Sequence, residues 1–292
     1  MTPLSIGILQ GLILAWPVLA LAIAFRLFQF PDISVEGSFL VGAATFATLA
    51  QHHCHPAFAI VVGVGSGALV GASAALLHAW FGINKFLSGI LVTSACYTLA
   101  LRLMESSNIG LLNYPGVFTW ADTAQQAAPS LSRDTVSTLL CGLILLGLLV
   151  ILFIAFRSRM GLKLRAAAVG GRFAVNAGLR QTVGLVAGLA LTGAISAFGG
   201  ALISMRQGFA DLSMNQGILV LALAGLSIGE AVLPAKRLPA LALTLLAGVV
   251  GSIGYQVIVA FTIRMGFDSA DLKLITSILV VIAVCLRKDR FL

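Results

Sequence analysis

The chain has 292 residues, 59% of them hydrophobic and only 10% charged, with 18 Lys and Arg against 10 Asp and Glu. Apolar runs of roughly 20 residues recur from end to end, long enough to cross a bilayer core as helices, and this excludes an ordinary soluble domain. The short segments of alternating polarity that build a membrane barrel are missing, and the net charge of +8 has no basic tail or aromatic-laced basic face, so nucleic acid is not an expected partner.

The opening run, "MTPLSIGILQGLILAWPVLALAIAF", lacks a positive leading region and a small-residue cleavage site, so it reads as a first membrane helix rather than a removed signal. Nine apolar segments are marked in all, at about 4–25, 33–51, 57–80, 86–104, 134–156, 182–204, 216–233, 238–262 and 272–286. Lys and Arg collect on cytoplasmic loops, and this bias sets the orientation. With the N-terminus outside, 13 of the 18 basic residues fall on the cytoplasmic side: Arg26, Lys85, Arg157, Arg159, Lys163, Arg165, Arg172, Arg180, Lys236, Arg237, Arg287, Lys288 and Arg290. The C-terminus is then cytoplasmic as well.

Between the first two segments, "RLFQFPDISVEGSF" breaks the apolar pattern. Pro31 cannot continue a helix, and Asp32, Ser34 and Glu36 alternate with apolar residues. The stretch reads either as a short cytoplasmic turn in which Asp32 or Ser34 caps the next helix, or as a functional interruption, because ionisable groups in a membrane segment are costly. At the outer end of the second segment, "HHCHP" (His52, His53, Cys54, His55) has metal-binding residue types but occupies one turn, too little to enclose a four-coordinate ion, so a surface turn is expected. The longest polar interruption, 105–133, is an external loop in this orientation.

Two segments carry small residues four apart, which share one helix face and let another helix come close. One row is Gly63, Gly67, Gly71 and Ala75; the other is Gly184, Gly188, Thr192, Ser196, Gly200 and Ser204. The second row predicts that its helix is buried among other helices. Two later stretches break the pattern again: "RQGFADLSMNQG" on the outer side, and "SIGEAVLPAKR" on the inner side, where Glu230 is the acid nearest a membrane segment.

No enzyme signature is present. None of the five lysines is followed by Ser or Thr, so there is no phosphate-binding loop, and HExxH does not occur; the Gly225-Leu226-Ser227-Ile228-Gly229 run lies within an apolar segment rather than after a strand. The four cysteines are scattered and form no CxxC pair. The remaining oddity is a basic island: six Lys and Arg and no acid between Arg157 and Arg180. Gly170-Gly171 splits it, and "RFAVNAGLR" has the composition of a short helix. Such a helix with one aromatic could plug a groove on a partner, or the island could be a basic loop held at anionic headgroups.

At these residues the chain resembles the permease subunits of ABC importers of the branched-chain amino acid and ribose type, in the branch that includes tryptophan/tyrosine-type systems. "FPDISVEGSFLVGAA", "GINKFLSGILVTSACYTLALRLMESSNIGLL" and "GALISMRQGFADLSMNQGILVLALAGLSIGE" match that branch in order and spacing. The resemblance implies an all-α polytopic membrane protein with a type II ABC importer-like permease fold, one domain over 1–292, with about nine transmembrane helices. It also implies a bacterial inner-membrane location, a homodimer with a second permease copy, ABC ATPase subunits below, a solute-binding protein above and lipid around. ATP and magnesium would belong to the ATPase, leaving this chain without a cofactor, a metal or a catalytic residue of its own. The island, about 157–181, then resembles the coupling loop, with Arg165, Ala168, Arg172, Phe173, Ala174, Asn176, Gly178 and Arg180 as its contact residues. Relatives carry Gly-x-Asn-Pro before the coupling helix; here Ala168-Val169-Gly170-Gly171 stands in that place.

The expected function is alternating-access import of a small, amino-acid-like solute. Asp32, Ser34, Glu36 and Ser38 are expected along the path, with Phe209, Asp211 and Met214 near the outer gate. The alternatives are an ATP-independent secondary transporter and a non-transport membrane scaffold.

Overall fold

The structure is a computed structural model that describes residues 3–111, 114, 118, 132–170, 178–233, 239–265 and 278. Its helices are α1 (Pro3–Leu27), α2 (Ser34–Gln51), α3 (Pro56–Phe81), α4 (Lys85–Met104), α5 (Arg133–Arg157), α6 (Arg159–Val169), α7 (Gln181–Gln207), α8 (Ile218–Val232) and α9 (Ala240–Arg264). Two short strands, β1 (Asn108–Gly110) and β2 (Phe209–Asp211), pair antiparallel, with Ile109 opposite Ala210.

Eight of the predicted apolar segments coincide with helices to within a few residues; the ninth, 272–286, lies outside the described residues except for Ile278. Among the described residues, six helices are long and apolar enough to cross a membrane: α1, α3, α4, α5, α7 and α9. The shorter ones are α2, with 18 residues, α8, with 15, and α6, with 11.

Burial separates a central post from a rim. The apolar window of α1 is 78% buried and that of α7 67%, whereas α5 is 22% and α4 28% buried. A helix apolar on every side belongs inside a bundle or against lipid, so composition alone could not rank them. The small residues mark where the helices meet. A Cβ at Gly71 would overlap the Leu189 carbonyl, and one at Gly193 would overlap that of Gly67, so α3 and α7 touch backbone to backbone. Gly225 and Gly229 of α8 meet Ala247 and Gly251 of α9 in the same way. On α1, Gly11 accepts a hydrogen bond at its carbonyl from the Ser252 hydroxyl at 2.8 Å. Close backbone approach gains dispersion and polar contacts that lipid tails do not offer.

The helices leave the bundle at two ends. At one, Lys85 Nζ donates to the Gln29 carbonyl at 3.1 Å, Phe28 stacks edge-on to Phe156 with ring centroids 6.0 Å apart, and α6 lies against the start of α7. Arg26, Lys85, Arg157, Arg159, Lys163 and Arg165 all gather there, so we refer to it as the basic end. At the other, the β1–β2 ribbon ties the exit of α4 to the exit of α7.

Local chemistry fixes the helix ends. Ser158 terminates α5 and also caps α6, its hydroxyl accepting from the Gly161 amide at 3.2 Å. His55 Nδ1 accepts from the Ala57 amide at 3.3 Å and so caps α3. The His-Cys turn therefore has a structural role, and among the described residues no group of three His, Cys, Asp or Glu is placed to hold a metal.

Candidate functional site

Two interruptions enter the bundle from opposite ends. The first follows α1. The Phe28 and Phe30 amides donate back to Ile23 and Ala24, Gln29 adopts a positive φ of 50°, and the chain turns inward before α2 begins. Asp32 Oδ1 accepts from the Ser34 amide at 2.9 Å and the Ser34 hydroxyl at 2.5 Å, which starts α2 with an Asx turn. Asp32 Oδ2 accepts from the Thr192 hydroxyl at 3.3 Å. The Ser196 hydroxyl donates to the Val35 carbonyl at 2.7 Å, and Ser38 lies 3.5 Å from the Gly67 carbonyl. Thr192 and Ser196 lie near the middle of the 27-residue α7, so α2 starts deep inside the bundle rather than at a surface. Of the two readings of this stretch, the structure supports the interruption within the bundle, although Asp32 does cap the helix there.

The second interruption follows α7. Gly208, at φ 76°, ends the helix, β2 pairs with β1, and the chain runs back through turns to Gly217 at φ 87°. That left-handed conformation favours glycine and opens α8. The Gly217 amide lies near the Glu36 carboxylate. At its far end α8 is held by an ion pair: Arg26 Nε and Nη2 each reach a Glu230 carboxylate oxygen at 2.7 Å. This bidentate pair is a strong geometry, and the Glu230 side chain is only 8% exposed.

The residues expected along the path thus divide. Asp32, Ser34 and Ser38 are fully buried and turned toward α7 and α3. Glu36 is half-buried and faces the start of α8. On the ribbon, Phe209 is exposed, and Asp211 accepts from the Ser213 hydroxyl and, at 2.7 Å, from its amide. The Ser213 hydroxyl, then its amide, hold the Asp211 carboxyl below the ordinary carboxylate range against a small opposing effect of burial, and Asn108 Nδ2 adds a weaker contact at 3.4 Å. Met214 packs against the core.

The long row on α7 serves three partners in turn. Gly184 meets Ala167 and Ala168 of α6, Gly188 meets the Phe28 ring, and Thr192, Ser196 and Gly200 meet the break and α2. Ser204 bonds back to its own helix at Ala201. Sequence reasoning missed a second row on the neighbouring face of α7, where Leu189, Gly193 and Ala197 receive α3. Its four-residue spacing was visible in the same run.

In the basic island, the described helix is α6, at 159–169, where only a loop was expected. Ala168 is buried against Gly184; Arg165 is half-buried; Gly178 and Arg180 precede α7. Arg172, Phe173, Ala174 and Asn176, and the short helix expected around them, lie outside the described residues. Most of the 105–133 loop does too.

A bundle of apolar spans, broken twice in its interior by polar turns, defines a multi-pass membrane protein of permease type. The chain belongs to the family described as the branched-chain amino acid transport system / permease component, which it matches over residues 4–285. The family is one of transport components, not of enzymes. The chain is 29% identical to the tyrosine transport system permease protein of Clostridioides difficile (strain R20291), covering 93% of this chain and 87% of that one. It is 25% identical to an uncharacterised protein of Rickettsia prowazekii (strain Madrid E), over 94% of each chain. No solved structure gives a significant match.

Proposed function

We propose that this chain is the membrane subunit of an ATP-driven importer that carries an amino-acid-like solute into a bacterial cytoplasm by alternating access. The observation that carries the reading is the family match over residues 4–285, which includes both interior breaks and the basic island. That one relative is named for tyrosine transport supports an amino-acid-like cargo. The basic end would face the cytoplasm, because Lys and Arg concentrate there; the ribbon end would face the solute-binding protein. Two permease copies would enclose the path, and ATP and magnesium would sit on separate ATPase subunits.

In this reading the ATPase pushes on the island. Arg165, Arg172 and Arg180 steer the encounter, and the Phe173 ring supplies an anchor in a groove of the ATPase. The test is a pull-down of the tagged chain from detergent after expression with its native neighbours. We expect an ATPase to co-purify in stoichiometric amount and the Phe173→Asp variant to release it. A chain that brings down no ATPase would overturn the reading.

A further inference from the structure

Among the described residues, three acidic side chains lie within the bundle: Asp32, Glu36 and Glu230. Two of them are satisfied. Asp32 takes the Ser34 amide, the Ser34 hydroxyl and the Thr192 hydroxyl, and Glu230 takes the Arg26 guanidinium on both oxygens. Glu36 differs. Among the described residues the Gly217 amide lies near its carboxylate, which offers about four acceptor positions. It follows directly on Val35, whose carbonyl is held by Ser196 near the middle of α7. It is also half-open, unlike Asp32.

An acid at mid-bundle depth is too costly to face hydrocarbon, so its open side belongs to a watered or partner-lined space. Its unused acceptors call for a compact cation with several hydrogens to donate. A resident divalent metal does not fit, because such ions need several oxygen ligands, and no suitable group of three His, Cys, Asp or Glu lies among the described residues. A primary ammonium does fit, since it brings three donors and asks for no acceptor to be moved.

We propose that Glu36 is the residue of the pathway that receives the protonated amine of the transported solute. This rests on the importer reading above and assigns contact with the amine inside the membrane to one side chain. Asp32, in the same signature, has the separate task of fixing the start of α2.

The test uses the permease reconstituted in vesicles with its native ATPase and solute-binding protein. It is offered radiolabelled common L-amino acids and, separately, the same acids lacking the amino group. We expect ATP-dependent uptake of the amino acids alone. Glu36→Gln should lower kcat/KM for that uptake by roughly 30-fold or more, Glu36→Asp should retain part of it, and both variants should still co-purify with the ATPase. Uptake by Glu36→Gln at the wild-type rate would overturn the assignment, as would equal transport of the deaminated acids by the wild type. Either result would leave the importer reading standing. No ATP-dependent uptake of either series would overturn both.

Discussion

The two interior breaks look alike in sequence, each a Pro- or Gly-containing polar stretch with an acid between apolar runs, yet they are built differently. The turn before α2 is closed. Asp32 and Ser34 are fully buried, and every hydrogen bond they make stays within the protein. The turn before α8 is open. Gly217 and Ser213 are exposed, Glu36 beside them is half-buried, and Asp211 is held mainly by its own neighbour Ser213. The contrast teaches that an acid in a membrane segment is not by itself a pathway residue. In the reading proposed above, what separates fastening from function is whether its acceptor positions are already filled.

That contrast can be broken most severely at Gly200, where a Cβ would overlap the Phe39 carbonyl. Gly200→Leu forces α2 off α7 and should cost about 3 kcal/mol or more, read as loss of folded protein in detergent chromatography. A variant that elutes and melts like the wild type would show that α2 is not seated there. Next comes Asp32→Ala, which strands the Ser34 amide and hydroxyl in the interior. It should destabilise by about 2 kcal/mol in a thermal melt, while Asp32→Asn, which keeps the acceptor for Ser34 and can donate to Thr192, should lose half of that or less. Equal losses in the two variants would mean that the negative charge, and not the hydrogen-bond pattern, fastens the turn.

The smallest effect belongs to the open break. Because the Asp211 carboxyl is held below its ordinary value of 3.8, its contribution is fully present above that pH and is lost as the pH falls through the depressed value. Hydrogen exchange at the Ser213 amide should stay slow down to about pH 4 and quicken, beyond its intrinsic pH dependence, below it. The Asp32 turn lacks such exposure, and amides near it should show no matching change. Parallel behaviour at both turns would erase the distinction.

The helices were legible because long apolar runs leave few alternatives, and the row from Gly184 to Ser204 announced a buried α7. The depth of α2 was not legible. "FPDIS" reads the same at a surface as in an interior, and only Thr192 and Ser196 reaching across from α7 settle it. The ribbon could not be foreseen either, since three-residue strands leave no periodic trace. For α6 a signal existed but was outweighed: Ser158 is a good cap, and "KLRAAAV" is rich in helix formers, but the density of charge drew the reading toward a loop. Glu36 could be nominated from sequence, but nothing there said that it, rather than Asp32, would be left open.

The meeting of Gly184 with Ala167 and Ala168 has a mechanical consequence. Because little more than backbone separates α6 from α7 at that point, no long side chain can swing aside to absorb a displacement. In the importer reading, a thrust applied to α6 from the basic end would pass into α7 as through a pushrod, and α7 would carry it to Thr192 and Ser196, where the start of α2 is latched. Ser158, shared by α5 and α6, is the joint about which such a lever would turn.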